Sequence, residues 1–201
     1  MKKLVACAAM LMSAGAMAYG TGQSSFPMST GKKLISTEFT GITSDDGGVG
    51  AQVRYTQKLN NLVTFDAGLG IGGGDRSQRL FVGADYELYP DYLNQPKISV
   101  RTSILRAEEF EATKTQFAIA PTLSKGFVFW GEEAFPYVSI PLGLNLNSEN
   151  NTYDSMLSLN VGINGRLPIE GYRHLNGSLE LQAGIQNSFT AFVAGINFPI
   201  Q

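Results

Sequence analysis

Along most of this chain apolar and polar residues alternate with a period of two, not the 3.6 of a helix. In Val49-Gly50-Ala51-Gln52-Val53-Arg54-Tyr55-Thr56 the odd positions are apolar or aromatic and the even ones polar or Gly. Val63, Phe65, Ala67, Leu69 and Ile71 repeat the pattern, as do Leu80, Val82, Ala84, Tyr86 and Leu88. Ile98, Val100 and Ile104 follow, then Phe117, Ile119 and Leu123, then Ile140, Leu142, Leu144 and Leu146. Leu157, Leu159, Val161 and Ile163 come next, then Leu179, Leu181, Ala183 and Ile185, and finally Phe192, Ala194, Ile196 and Phe198. With a first strand at 33–42, the pattern predicts about ten strands, eight being the alternative. Turn-forming clusters separate them, among them Ser44-Asp45-Asp46-Gly47-Gly48, Asn60-Asn61, Gly72-Gly73-Gly74-Asp75, Asn94-Gln95-Pro96 and Asn187-Ser188. Strands of about ten residues joined as hairpins describe an all-β, antiparallel, up-and-down barrel.

Alternation alone does not say which face meets water, because a soluble barrel with an apolar interior alternates as well. The polar face decides between them. It is rich in Gly, Ser, Thr, Asn and Gln, and charged residues make up 16% of the chain, against about 25% in soluble domains. Such a face suits a crowded lumen, with the apolar side turned to lipid, so the barrel is read as transmembrane. The strand length agrees, since a tilted strand crosses the hydrocarbon in about 9 to 11 residues. Tyr86, Tyr89, Tyr92, Phe127, Phe129, Trp130, Phe135, Tyr137, Tyr172 and Phe198 fall at one end of the strands and read as an interfacial girdle.

The start of the chain supplies the compartment. Lys2 and Lys3, an apolar run from Leu4, and Ala16-Met17-Ala18 make residues 1–18 an export signal with an A-x-A cleavage site, leaving 19–201 as one barrel domain. The apolar run is too short for a membrane anchor. Leu4-Val5-Ala6-Cys7 has the local look of a lipobox but follows the lysines too closely. Cys7 is the one cysteine, so cleavage leaves no disulfide and no cysteine metal site. Without Lys2 and Lys3, 13 basic residues face 17 acidic ones, a net charge near −4 that argues against nucleic acid. With one His, neither a metal centre nor any cofactor is implied.

The charges on the polar face are the first place to look for chemistry. If the second hairpin keeps its apolar residues on one face, Leu59 lies opposite Val63 and Arg54 is diagonal to Asp66. The same parity sets Asp85 opposite Arg101 and turns Glu87 and Glu180 inward. Opposite charges inside a narrow barrel form a structural network that plugs it, or line a polar path for small solutes; burying them unpaired costs several kcal/mol each. Pro121 and Pro141 fall within two strands at one height, where proline removes a ladder donor. They mark a pair of bulges or a lateral seam. A surface enzyme would need an acid, base or nucleophile, and the sole His174 sits in a turn, so no catalytic residue is assigned. Residues 107–114 and 147–152 read as exposed polar connections.

Taken together, the signal peptide, the strand pattern and the alternating Phe192, Ala194, Ile196 and Phe198 near the C-terminus resemble the small outer-membrane β-barrel proteins of the OmpA/OmpX-like and OmpW-like group. Members commonly end on an aromatic; here Pro199-Ile200-Gln201 follow the last one. The resemblance implies a porin-like, monomeric, non-enzymatic protein of the Gram-negative outer membrane, exported by the Sec pathway. It implies outer-membrane lipid and the barrel-assembly machinery as partners. The role it implies is structural, or a narrow pore for small or hydrophobic solutes, with surface adhesion and lipid modification as the competing classes.

Overall fold

A computed structural model of the chain describes residues 25–44, 47–72, 76–109, 112–129, 131–148, 152–172 and 174–200. Residues 1–18, read above as an export signal, and Trp130 lie outside these. The strand segments are β1 (Lys33–Ile42), β2 (Gly48–Lys58), β3 (Val63–Gly72), β4 (Arg76–Tyr89), β5 (Lys97–Glu109), β6 (Ala112–Ser124), β7 (Phe127–Phe129), β8 (Glu132–Ser139), β9 (Leu142–Asn147), β10 (Thr152–Arg166), β11 (Asn176–Gln186) and β12 (Ala191–Ile200). They make ten staves, because β7 continues β6 beyond Lys125-Gly126 and β9 continues β8 across Ile140-Pro141. Each stave pairs antiparallel with its sequence neighbour. The ring closes where β1 pairs with β12, from Lys33 opposite Ile200 to Ile42 opposite Ala191.

Turn chemistry sets the registers. Asn60 accepts the Leu62 and Val63 backbone N–H groups on its side-chain oxygen, each at 2.8 Å. Its turn holds Leu59 N–H on the Val63 carbonyl at 2.9 Å, the three-residue connection that parity requires. At the β7–β8 hairpin Gly131 takes φ +79°, open to glycine at no steric cost.

Inward and outward residues then alternate as the pattern predicts. In β1, Leu34, Ser36, Glu38 and Thr40 are buried, while Ile35 and Phe39 are exposed. Leu69 and Leu80 are each 61% exposed on the outer face, and the belt they join runs round the whole barrel. Leaving such a surface in water would forgo about 25 cal/mol for every Å². An apolar belt this continuous belongs against lipid.

Four expectations need correction. The lumen is not uniformly polar: Phe81, Leu105 and Ala107 pack together inside it, as do Ile42, Ala191 and Val193. Small barrels fill their interiors with side chains, and apolar ones serve where no charge needs a partner. Most of 107–114 is strand and not loop, because β5 runs to Glu109 and β6 starts at Ala112; residues 110 and 111 lie outside the described residues. Tyr137 leaves the girdle, being buried in the lumen. Phe135 packs edge-on against Phe26, ring centroids 5.6 Å apart, instead of facing outward. Tyr86, Tyr89, Tyr92, Phe127, Phe129, Tyr172 and Phe198 are exposed at the end of the barrel that holds Lys33 and Ile200, here called the near rim.

The segment 25–32 runs across the near rim. Asn164 donates to Ser25 Oγ at 2.6 Å, Thr30 donates to Asn61 at 2.9 Å, and Gly31 N–H reaches the Lys58 carbonyl at 2.8 Å. In detergent or vesicles the protein is expected to migrate anomalously on a gel until boiled. Identical migration before and after boiling would remove the closed barrel.

Candidate functional site

The lumen holds the chain's concentration of buried charge. Five cations, Arg54, Lys58, Arg79, Lys97 and Arg101, meet five anions, Glu38, Asp66, Asp85, Glu87 and Glu180, and all but Glu87 are among the buried residues. Strand parity turns each one inward.

One chain of contacts crosses the barrel. Arg79 donates to Gln52 Oε1 at 3.1 Å, and Gln52 donates to Glu38. Glu38 takes the Arg54 guanidinium on both oxygens at 3.1 Å. Arg54 lies 3.8 Å from Asp66, the diagonal that register predicts, since Thr56 is the residue directly opposite Asp66. Arg101 closes the chain with 2.6 Å bonds to both Asp66 oxygens. Arg101 does stand opposite Asp85 in register, yet its guanidinium reaches across to Asp66. The carboxylate of Asp85 is instead 3.9 Å from Lys97 Nζ. A second group lies toward the near rim, where Glu87 accepts Lys58 at 3.2 Å and Lys97 at 3.4 Å. A third joins Glu180 to Tyr137, which donates at 2.5 Å, and to Asn160, which donates at 2.7 Å.

Two glycines make room for these arrangements. Tyr137 lies opposite Gly162, and Gly162 lies opposite Glu180, so the Tyr137 ring must pass over Gly162 to reach the carboxylate. A Cβ on Gly162 would stand 2.3 Å from the Tyr137 hydroxyl. Gly68 repeats the device. It separates Arg54 from Phe81 in register, and its bare face lets the Phe81 ring lie 5.1 Å from the Arg54 guanidinium.

Of the residues singled out from sequence, Arg54, Asp66, Asp85, Glu87, Arg101 and Glu180 all face the lumen. Sequence reasoning missed Glu38, Lys58, Arg79 and Lys97. The signal was present in three of them: Lys58 shares the parity of Arg54, Arg79 that of Asp85, and Lys97 that of Arg101. Pro121 stands opposite Ile140, and its carbonyl accepts the Ile140 N–H at 3.1 Å. The Pro141 carbonyl accepts the Ser158 N–H at 3.0 Å. Each proline thus withholds the return bond, Pro121 from the Ile140 carbonyl and Pro141 from that of Ser158. The losses lie on opposite edges of one stave, so no single seam carries both. Neither proline sits at a bulge, since the register runs unbroken past both. His174 is exposed in the β10–β11 connection. Among the described residues no group of three or more His, Cys, Asp or Glu is placed to hold a metal.

Two vestibules flank the charges. One at the far rim, about 500 Å³, is lined by Lys114, Gln116, Asn145, Asp154, Met156 and Gln182 among others. The other, about 360 Å³, lies at the near rim between residues 25–30 and Lys58, Glu87, Asp91 and Lys97. Apolar belt outside, paired charges inside and a closed ladder now stand together. The fold is that of a transmembrane β-barrel.

No protein-family model matches the chain, and none of the curated proteins does. Solved structures give distant likenesses. A chain from the de novo design of transmembrane β-barrels matches over 87% of this chain and all of its own, at 12% identity and TM-score 0.44. Ail, the attachment invasion locus protein of Yersinia pestis, matches over 84% of this chain and 97% of its own, at 7% identity and TM-score 0.28. At that distance neither bears on what this protein does.

Replacing Arg101 with Met removes the two 2.6 Å bonds to the buried Asp66. The unfolding free energy is expected to fall by about 3–5 kcal/mol, the usual cost of stranding a buried charge. Urea titration of the reconstituted protein measures it, and a loss below about 1 kcal/mol would mean that the pair is not desolvated. Outside the strands, Asp91 accepts Lys125 and the Gly126 N–H, the latter at 2.7 Å. Burial raises its carboxyl, but the Lys125 and Gly126 hydrogen bonds and the Lys125 charge outweigh this and hold it below its ordinary value. A carboxyl depressed in the fold stabilises it above the unfolded value, about pH 4, and loses that stabilisation as pH falls through the folded one. The stability gap between wild type and Asp91→Asn should therefore be flat above about pH 5 and close below about pH 4. A gap independent of pH would rule the contact out.

Proposed function

We propose that the protein is an outer-membrane barrel with a closed lumen, a structural and surface-presenting element instead of an open pore. The observation that carries this reading is the paired charge network. Arg54, Asp66, Asp85, Arg101 and Glu38 are each at most 2% exposed although they lie inside a barrel open to vestibules at both ends. A water-filled path would wet them, and a charge kept dry is kept in place by its partners. Segment 25–32 across the near rim supports the same reading.

The compartment belongs to the proposal as well. Residues 1–18 carry the basic start, apolar run and A-x-A end of a Sec signal, and the outer belt needs lipid. The chain then reaches the Gram-negative outer membrane through the barrel-assembly machinery and stands there as a non-enzymatic monomer. Passage of small or hydrophobic solutes is the competing role. Wild-type protein in planar bilayers should give no stepwise ion current. Well-resolved single-channel steps would overturn the closed lumen, and their loss in Arg101→Ala would assign them to a path along the charges.

A further inference from the structure

The far-rim vestibule, about 500 Å³, is large enough for a small ligand. Leu105, Gln116, Asn145 and Asp154 stand in register across β5, β6, β9 and β10, and Ala107, Lys114 and Asn147 form the next row toward the rim. Leu105 and Ala107 pack on the buried Phe81, and with Met156 and Phe189 they give the vestibule an apolar lining. Four amides surround it, each held by its own donor group. Asn145 donates to the Asn187 carbonyl at 3.0 Å, Gln182 to the Phe189 carbonyl at 3.1 Å and Asn187 to the Ser155 carbonyl at 2.9 Å, while Gln116 donates to Met156 Sδ. Their side-chain oxygens take no donor among the described residues.

We infer that the vestibule binds a neutral saccharide. What the amides leave open is a set of fixed acceptors, so the ligand must bring donors. An ammonium is disfavoured, because Lys114 is in the lining and Arg79 stands opposite Ala107 in register. An anion would meet Asp154 and the amide oxygens. Hydroxyls carry a donor without a charge. A sugar ring sets them round its edge and keeps apolar C–H faces, which lie on Leu105, Met156 and Phe189, while water at the open mouth donates to the hydroxyls' lone pairs. The vestibule is separate from the paired charges, so binding there is independent of whether the barrel conducts.

Met28 lines the near-rim vestibule and Met156 the far-rim one, and no other methionine is among the described residues. The test isotope-labels the methionine methyl groups of the full chain, folded in a detergent without a sugar headgroup, and titrates it with methyl glucoside by NMR. Met28→Leu and Met156→Leu assign the two signals. Methyl glucoside should move the Met156 signal saturably and leave that of Met28 in place. Glucosamine and glucuronate, which add a positive and a negative charge to the same ring, should bind several-fold more weakly. Gln182→Met keeps the length of the side chain and removes its oxygen. It should weaken binding about fivefold, the worth of one hydrogen bond, with heat-modified migration retained. Asn145→Leu gives the same readout if Gln182→Met fails to assemble. A Met156 signal unmoved by any of the three sugars overturns the site. Tighter binding of either charged sugar overturns the neutral preference, and unchanged affinity in both variants overturns the role of the amides.

Discussion

A backbone with lipid on one side has no water there to satisfy its N–H and C=O groups, and each unsatisfied group costs several kcal/mol. The sheet must therefore close, and the pairing of β1 with β12 along their full lengths is where it does so. Much else follows from closure. Each strand presents one face outward, so its apolar residues go there and its polar ones are enclosed. A ring of ten staves is narrow, and long side chains from opposite walls must share the space. Charges enclosed in this way either find partners or prevent folding, and the five cations and five anions that meet in the middle and near-rim part of the lumen are arranged accordingly.

Pairing in so confined a space depends on the residues that are absent. Gly162 and Gly68 each occupy the middle position of a three-strand row, and each lets a ring from one neighbour lie flat on its way to a polar group on the other. Tyr137 reaches Glu180 in the first row; Phe81 backs Arg54 in the second. The glycines abundant on the polar face are therefore part of the network's geometry as well as markers of a crowded interior.

Parity made the strands legible, together with the inward direction of the six charges named from sequence. It also set the Arg54–Asp66 diagonal, because the three-residue turn at Asn60 locks one register. Parity did not carry partner choice. Arg101 has Asp85 directly opposite and still turns to Asp66, since a long guanidinium chooses among several carboxylates by what the rest of the lumen leaves open. Glu38 was hidden because residues 33–42 alternate weakly, with Thr37 outside and Thr40 inside. Phe81, Leu105 and Val193 escaped for another reason: each is an apolar residue at a position the alternation assigns to the polar face. The segment 25–32 has no periodicity at all, and its place across the near rim is a tertiary fact.

The ladder resembles a hoop riveted at every second residue, and prolines thin it along the stave formed by β8 and β9: Pro121 and Pro136 each withhold one bond on its β6 edge and Pro141 one on its β10 edge. Side chains tie that stave back where the ladder is thinned: Tyr137 reaches across Gly162 to Glu180, and Thr122 bonds Ser139. Most of the buried ions lie instead on the wall from β1 to β5, whose strands contain no proline, so the barrel is held by its backbone ladder on one side and leans on side-chain bonds on the other.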